Sequence, residues 1–113
     1  MAILEQINPF ADLLKPFKKK VFMKISDYLD SQLVAFLDVS TRDEAIDVLI
    51  DLLRERGKLE DPEGFRRAIF HREELVSTGI GMGVAIPHAK MKHFSDFFIV
   101  VGVLKKKGLD WNA

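Results

Sequence analysis

The stretch Thr78-Gly79-Ile80-Gly81-Met82-Gly83-Val84-Ala85-Ile86-Pro87-His88-Ala89 carries one histidine near the end of a glycine-punctuated, otherwise apolar run. Its three alternating glycines let the backbone turn tightly and approach a neighbouring chain or an anion closely. The residues from Val84 to Ile86 predict a short buried strand. Pro87 lacks a backbone N–H and is tolerated in a sheet mainly at an edge or an end. We therefore expect the strand to stop there and to leave His88 exposed at its mouth.

Two helices are predicted upstream of this stretch. The capping box Thr41-x-x-Glu44 and the apolar stripe behind it predict a helix over residues 41–56. The pair Asp61-Pro62, an N-cap followed by a favoured first helical residue, predicts a second helix that ends at about Glu74.

Two apolar runs of strand length flank the helices. The first is Leu33 to Val39, and the second, Phe97 to Leu104, is apolar on both faces and therefore predicted to be central in a covered sheet. The order strand, helix, helix, strand, strand predicts the α/β class. A central strand needs two neighbours and only about three strands can be recognised. The sheet is thus expected to be incomplete or to be completed by a second copy, as a homo-oligomer.

Residues 1–22 differ from the rest of the chain. Apolar residues recur there at helical spacing, but two prolines interrupt them and the run Lys18-Lys19-Lys20 closes the segment. The apolar residues are Ile3, Leu4, Ile7, Phe10, Leu14 and Phe17. The lysines follow the apolar part, the wrong order for a signal peptide. We predict an N-terminal amphipathic extension over 1–22 and one domain over 23–113.

Composition limits the classes of partner. The chain has 113 residues, 48% of them hydrophobic, and its 17 basic side chains balance 17 acidic ones, so no global charge favours nucleic acid. No apolar run approaches the roughly 20 residues of a membrane helix, so no stable membrane insertion is expected. The absence of cysteine excludes disulfides, thiol catalysis and thiolate metal sites.

His88 is the main candidate for chemistry. A neutral imidazole has a free lone pair near pH 7 and can act as a base, a metal ligand or a nucleophile. His71, His88 and His93 lack the spacing of metal ligands, and no Gly-x-Ser-x-Gly elbow is present, so we predict no metal, no cofactor and no serine-hydrolase triad.

Attack on phosphorus suits the neighbours of His88 better. A phosphoryl group needs hydrogen-bond donors and cations around its oxygens, which Arg72, Thr78 and the backbone of the glycine run could supply. Each feature alone also fits a plainer interpretation. A terminal helical arginine is usually a solvated surface residue, and such a glycine run is usually a turn.

With Arg72-Glu73-Glu74, Ser77-Thr78-Gly79-Ile80-Gly81 and Ala85-Ile86-Pro87-His88-Ala89 in this order and spacing, residues 23–113 resemble the fructose/mannitol-type IIA domain of the sugar phosphotransferase system. Within that family the chain looks closest to the nitrogen-regulatory IIA proteins. Ala89 replaces a common glycine of the motif.

The resemblance implies a cytoplasmic histidine phosphocarrier with an α/β/α sandwich around a mixed β-sheet. It implies that His88 accepts phosphate from the phosphohistidine of the carrier HPr or a paralogue, and that Arg72 helps to hold the phosphoryl group. Downstream partners would be a sugar-transport IIB domain or regulatory proteins. The family carries further strands, helices and a second active-site histidine in its C-terminal part, and this chain is expected to lack that part. Two alternatives stay open: a regulatory protein-binding module that does not pass the phosphoryl group on, and an inactive truncated form.

Overall fold

A computed structural model of the chain describes residues 2–7, 28–90 and 98–112. The part of the predicted extension beyond residue 7, and His93, lie outside these residues. The elements in chain order are β1 (Ala2–Ile7), a 3-10 turn (Ser31–Leu33), β2 (Val34–Leu37), α1 (Arg42–Glu55), α2 (Pro62–Leu75), β3 (Gly79–Gly81), β4 (Val84–Ala85), β5 (His88–Lys90) and β6 (Phe98–Leu104).

Both helices begin where their capping residues predict. Thr41 is the N-cap of α1, and its hydroxyl accepts a hydrogen bond from the backbone N–H of Glu44 at 3.2 Å. Asp61 is the N-cap of α2, and its carboxylate accepts from the N–H of Gly64 at 3.0 Å. These bonds satisfy backbone donors that have no partner inside the helix. The two predicted helices are therefore confirmed to within a residue or two at each end.

The strands form one mixed sheet in the order β2-β6-β1-β4-β3, with β5 also paired to β1. Strand β6 is parallel to β2 and antiparallel to β1, whereas β1 is parallel to both β4 and β5. Ile99 and Val100 of β6 are buried. The prediction that this apolar run is a central strand is thus confirmed.

Residues 2–7 do not continue the helical pattern predicted for them. They form β1, which lies between β6 on one side and β4 with β5 on the other. Gln6, for example, is in register with Phe98 of β6 and with Ala89 of β5. The helical interpretation is wrong here because pairing on both sides satisfies more backbone groups than a short, proline-limited helix could. Strand β1 is also the second neighbour of β6 that sequence patterns did not supply.

The hydrophobic core lies where α1 and α2 meet the sheet. Helix α1 packs on β2 and β6, and α2 packs on β5 and on α1. Burying a large apolar side chain contributes about 1.5–3 kcal/mol. The largest fully buried apolar side chains are Phe65, Ile46, Leu49, Leu53, Ile69 and Val100.

An exposed ion pair joins the two helices. The Arg66 guanidinium donates to both carboxylate oxygens of Asp47, at 2.8 and 3.4 Å, and lies 4.6 Å from the centre of the Phe70 ring. The hydrogen bond and charge of Asp47 raise the pKa of Arg66 above its ordinary value. Arg66 therefore stays charged at every pH at which the protein would be handled.

The α/β class and the mixed sheet are confirmed by this arrangement. The three-layer α/β/α sandwich and the completion of the sheet by a second copy stay predictions. None of the helices in the described ranges is both long and apolar enough to cross a bilayer.

Candidate functional site

The glycine-rich stretch forms a tight hairpin that leads to His88. Strands β3 and β4 are antiparallel and are joined by the two-residue loop Met82-Gly83. Both loop residues have positive φ, 56° and 76°, the pattern of the type I′ turn that best matches the twist of paired strands. Glycine adopts this backbone freely, but Met82 does not, and its side chain is fully exposed. The hairpin thus leads into the segment that contains His88, and its loop has an unfavourable backbone conformation at Met82.

His88 is the first residue of β5 rather than the residue beyond the last strand. Strand β4 ends at Ala85, Ile86 and Pro87 interrupt the sheet, and pairing resumes at His88, which is in register with Glu5 of β1. The ring is half-buried, not exposed as predicted, because helix α2 packs against β5.

One hydrogen bond defines the orientation of the His88 ring. Its Nδ1 atom lies 2.9 Å from the carbonyl oxygen of Ile86. A carbonyl oxygen can only accept, so Nδ1 carries the hydrogen in this contact. In the neutral ring the lone pair is then on Nε2, the nitrogen left to act as a nucleophile.

Thr78 lies in a buried network and not at an open phosphate site. Its side chain is 5% exposed, its hydroxyl donates to Glu73 Oε2 at 2.5 Å, and its backbone N–H donates to Glu73 Oε1 at 2.9 Å. A hydroxyl has one hydrogen to donate, and here Glu73 accepts it. The role of Thr78 as a phosphate ligand stays a prediction, and in this geometry its donors already have acceptors.

Arg72 lies in the last turn of α2, the helix that packs on the strand of His88. Its guanidinium donates to the carbonyl oxygen of Val76 at 2.8 Å, close to the end of its own helix. This bond occupies one donor of five and satisfies a carbonyl that the helix leaves unpaired. The remaining donors keep Arg72 available as a phosphate-binding residue, which stays a prediction.

A cavity of about 480 Å³ lies at another part of the sheet. Its lining residues include Gly79, Gly81 and Gly83 together with Lys106 and Lys107. Among the described residues that form its walls, neither His88 nor Arg72 occurs. We place the candidate site at His88 and not in this cavity, because chemistry on a histidine needs access to that ring.

The sequence interpretation missed Glu73 and Trp111 as partners. Glu73 is 4% exposed and also accepts from the indole N–H of Trp111 at 2.6 Å. The sequence did contain one indication that Glu73 is buried. It follows Phe65 and Ile69, both buried, at the four-residue spacing of one face of α2. A carboxylate at a buried helical position needs donors around it. Nothing in the spacing indicated that Thr78 and Trp111 would supply them.

Metal-binding geometry is not found in the part of the chain that the structure describes. There, no group of three His, Asp or Glu side chains is arranged to hold an ion. His71 is exposed on α2.

Several known proteins named as components of the phosphotransferase system are similar to the chain. The fructose-specific EIIABC component of Bacillus subtilis is 35% identical over 80% of this chain and 14% of its own length. The fructose-specific EIIA component of Haloferax volcanii is 39% identical over 66% of this chain and 47% of its own length. The fructose-like EIIA component of Escherichia coli is 32% identical over 58% of this chain and 43% of its own length.

These matches span less than half of each relative, and no solved structure matches the chain significantly. Residues 27–113 match the family described as "Phosphoenolpyruvate-dependent sugar phosphotransferase system, EIIA 2". That match covers most of the chain, including α1, α2 and the whole stretch from Thr78 to His88. The chain therefore belongs to the EIIA 2 family of the phosphoenolpyruvate-dependent sugar phosphotransferase system.

Proposed function

We propose that this chain is a histidine phosphocarrier that accepts a phosphoryl group on Nε2 of His88. The observation that carries the proposal is the hydrogen bond between His88 Nδ1 and the Ile86 carbonyl, because it leaves the Nε2 lone pair free. Family membership supports the same function. The half-buried ring supports it as well, since limited access of water slows hydrolysis of a phosphohistidine.

The transfer step balances without an added acid or base. The Nε2 lone pair of His88 attacks the phosphorus of a donor phosphohistidine, and the new N–P bond forms as the donor N–P bond breaks. The bonding electrons return to the donor ring nitrogen, and the donor ring, which carries a hydrogen on its other nitrogen, leaves as a neutral imidazole. The hydrogen on Nδ1 of His88 stays on the ring and remains bonded to the Ile86 carbonyl. In-line geometry and charge stabilisation supply most of the catalysis in such transfers.

Arg72 is proposed to bind the equatorial oxygens of the phosphoryl group. A guanidinium has five donors in a planar fork, which suits bidentate contact with phosphate. Only one of these donors is engaged by Val76, and α2 packs on the strand of His88. Thr78 would bind phosphate only if its hydroxyl turned away from Glu73, so we assign it a supporting position around the site.

The proposed donor is phosphorylated HPr or a paralogue, and the proposed acceptor is a sugar-transport IIB domain. The names of the relatives, fructose-specific or fructose-like, favour sugar transport over the nitrogen-regulatory role that the motif suggested. The nitrogen-regulatory role stays a prediction.

Incubation with phosphoenolpyruvate, enzyme I and HPr tests the proposal. The wild-type chain should acquire one acid-labile phosphate on His88, identified by mass spectrometry, and His88→Ala should acquire none. His71→Ala, which replaces an exposed histidine on α2, is the matched control and should label normally. Unchanged labelling of His88→Ala would exclude the proposed function.

A second candidate is a binding module that recognises other proteins without passing phosphate on. Four exposed apolar side chains lie within eight residues around the hairpin, and such surface favours protein contact. They are Leu75, Val76, Ile80 and Met82. Pull-downs with His88 phosphorylated and unphosphorylated separate the two functions. Partners that bind equally in both states would favour the module, and a chain that neither labels nor binds would be the inactive form.

A further inference from the structure

Glu73 is a buried carboxylate whose hydrogen-bond partners lie outside its own helix. Both oxygens are engaged: Oε1 accepts from the Thr78 N–H at 2.9 Å and from Trp111 Nε1 at 2.6 Å, and Oε2 accepts from the Thr78 hydroxyl at 2.5 Å. The side chain is 4% exposed. Such bonds to a carboxylate are stronger than neutral ones, so Thr78 is held in place at both its backbone and its side chain.

A continuous path of hydrogen bonds runs from Glu73 to His88. The carbonyl oxygen of Thr78 accepts from the Ile86 N–H at 2.9 Å, and the carbonyl oxygen of Ile86 accepts from His88 Nδ1 at 2.9 Å. Thr78 thus holds the backbone N–H of Ile86, and the carbonyl oxygen of Ile86 contacts the His88 ring. Neither Ile86 contact belongs to a strand ladder, since β4 ends at Ala85 and β5 begins at His88.

We propose that Glu73 is a positioning residue for His88. By holding Thr78, Glu73 fixes the Ile86 carbonyl, and that carbonyl keeps the hydrogen of the neutral ring on Nδ1 and the lone pair on Nε2. The assignment rests on the proposed function for its catalytic consequence, but the effect on the ring is independent of phosphorylation. Glu73 does not touch phosphate and is not itself a catalytic residue.

Substitutions of Glu73 separate its positioning role from the effect of its negative charge and from its effect on the stability of the fold. Glutamine can keep the network, because its oxygen can accept from the Thr78 and Trp111 N–H groups while its amide donates to the Thr78 hydroxyl. Leucine of similar volume removes the acceptor of the Thr78 N–H and leaves Trp111 Nε1 only the Thr78 hydroxyl oxygen, at 3.3 Å. Glu74 is the exposed neighbour on the same helix, so Glu74→Leu is the matched control.

Two measurements on the folded variants test the proposal. The ¹⁵N chemical shifts of the His88 ring at a pH where it is neutral report the fraction protonated on Nδ1, with no donor present. Steady-state transfer from phosphorylated HPr reports kcat and KM separately. Glu73→Leu should lower the Nδ1–H fraction and reduce kcat about 10- to 100-fold with KM unchanged, because a small misplacement of a reacting group has effects of that size. Glu73→Gln and Glu74→Leu should stay within about threefold of wild type.

A native tautomer fraction and native kcat in folded Glu73→Leu would overturn the proposal. Should that variant fail to fold, Glu73→Asp carries the same test, since it keeps the charge and shortens the side chain by one methylene. A shifted tautomer in Glu73→Leu with no labelling of wild-type His88 would support the positioning role and contradict the proposed function. Failure of the positioning role and failure of the proposed function therefore give different results.

Discussion

The indole N–H of Trp111 donates to Glu73 Oε1 at 2.6 Å, although 38 residues separate the two in the chain. This bond fastens the segment that follows β6 onto the end of α2. Trp111 also lies over Gly79, where an added Cβ would approach its Cδ1 atom to 3.3 Å. The only tryptophan of the chain thus lies against the start of the hairpin that leads to His88.

Replacing Trp111 by phenylalanine should lower the free energy of unfolding by about 1.5–3 kcal/mol, the usual worth of a hydrogen bond to a charged group. Urea unfolding followed by circular dichroism measures the change. In the Glu73→Leu background the same replacement should cost much less, because the charged acceptor is already gone and only the longer contact with the Thr78 hydroxyl remains. Equal costs in both backgrounds would show that the bond contributes nothing.

Replacing Arg72 by alanine should slow phosphoryl transfer about 100-fold, because the guanidinium that we propose to bind the transferred group is lost. The melting temperature should change little, since the hydrogen bond of this side chain to the Val76 carbonyl is exposed. Arg67→Ala removes an exposed arginine from the same helix and should leave the rate unchanged. A sharp fall in melting temperature at full transfer rate would assign Arg72 a structural role instead.

Replacing Met82 by asparagine should stabilise the protein by up to about 1 kcal/mol, because left-handed backbone is costly for most side chains and asparagine tolerates it. The midpoint of urea unfolding measures the gain. Ile80→Asn introduces the same polar side chain in the same hairpin, where φ is not positive, and should give no gain. A loss of stability in Met82→Asn would mean that the turn does not have this backbone in solution.

Replacing Gln6 by proline should destabilise the fold strongly. In a strand paired on both sides every backbone N–H faces a neighbouring strand, and proline has no N–H to donate. The cost should exceed the about 1–3 kcal/mol of one unsatisfied buried group, since the proline ring also disturbs the ladder. Gln6→Ala keeps the N–H and is the control. Equal stability of the two variants, compared by thermal unfolding, would place residues 2–7 outside the sheet.

Local patterns predicted the helices and the central strand of this protein well. The caps of α1 and α2 depend on residues three apart, and the buried character of β6 is visible in an uninterrupted apolar run. The motif from Arg72 to Ala89 identified the family, and the match over residues 27–113 confirmed it. His88 could be selected in the same way, because its neighbours in sequence define the motif.

Tertiary structure decided what those patterns could not. Residues 2–7 have an apolar spacing that suits a helix, yet they lie in the middle of the sheet, because backbone groups of β6 and β5 far along the chain satisfy theirs. Glu73 looked like an ordinary charged helical residue until Thr78 and Trp111 provided its donors. Sequence alone thus determined the helices and the family and selected His88 as the candidate histidine, since these depend on neighbours in the chain. The strand order and the hydrogen bonds that connect Glu73 to His88 depend on contacts between distant residues, which only the folded chain creates.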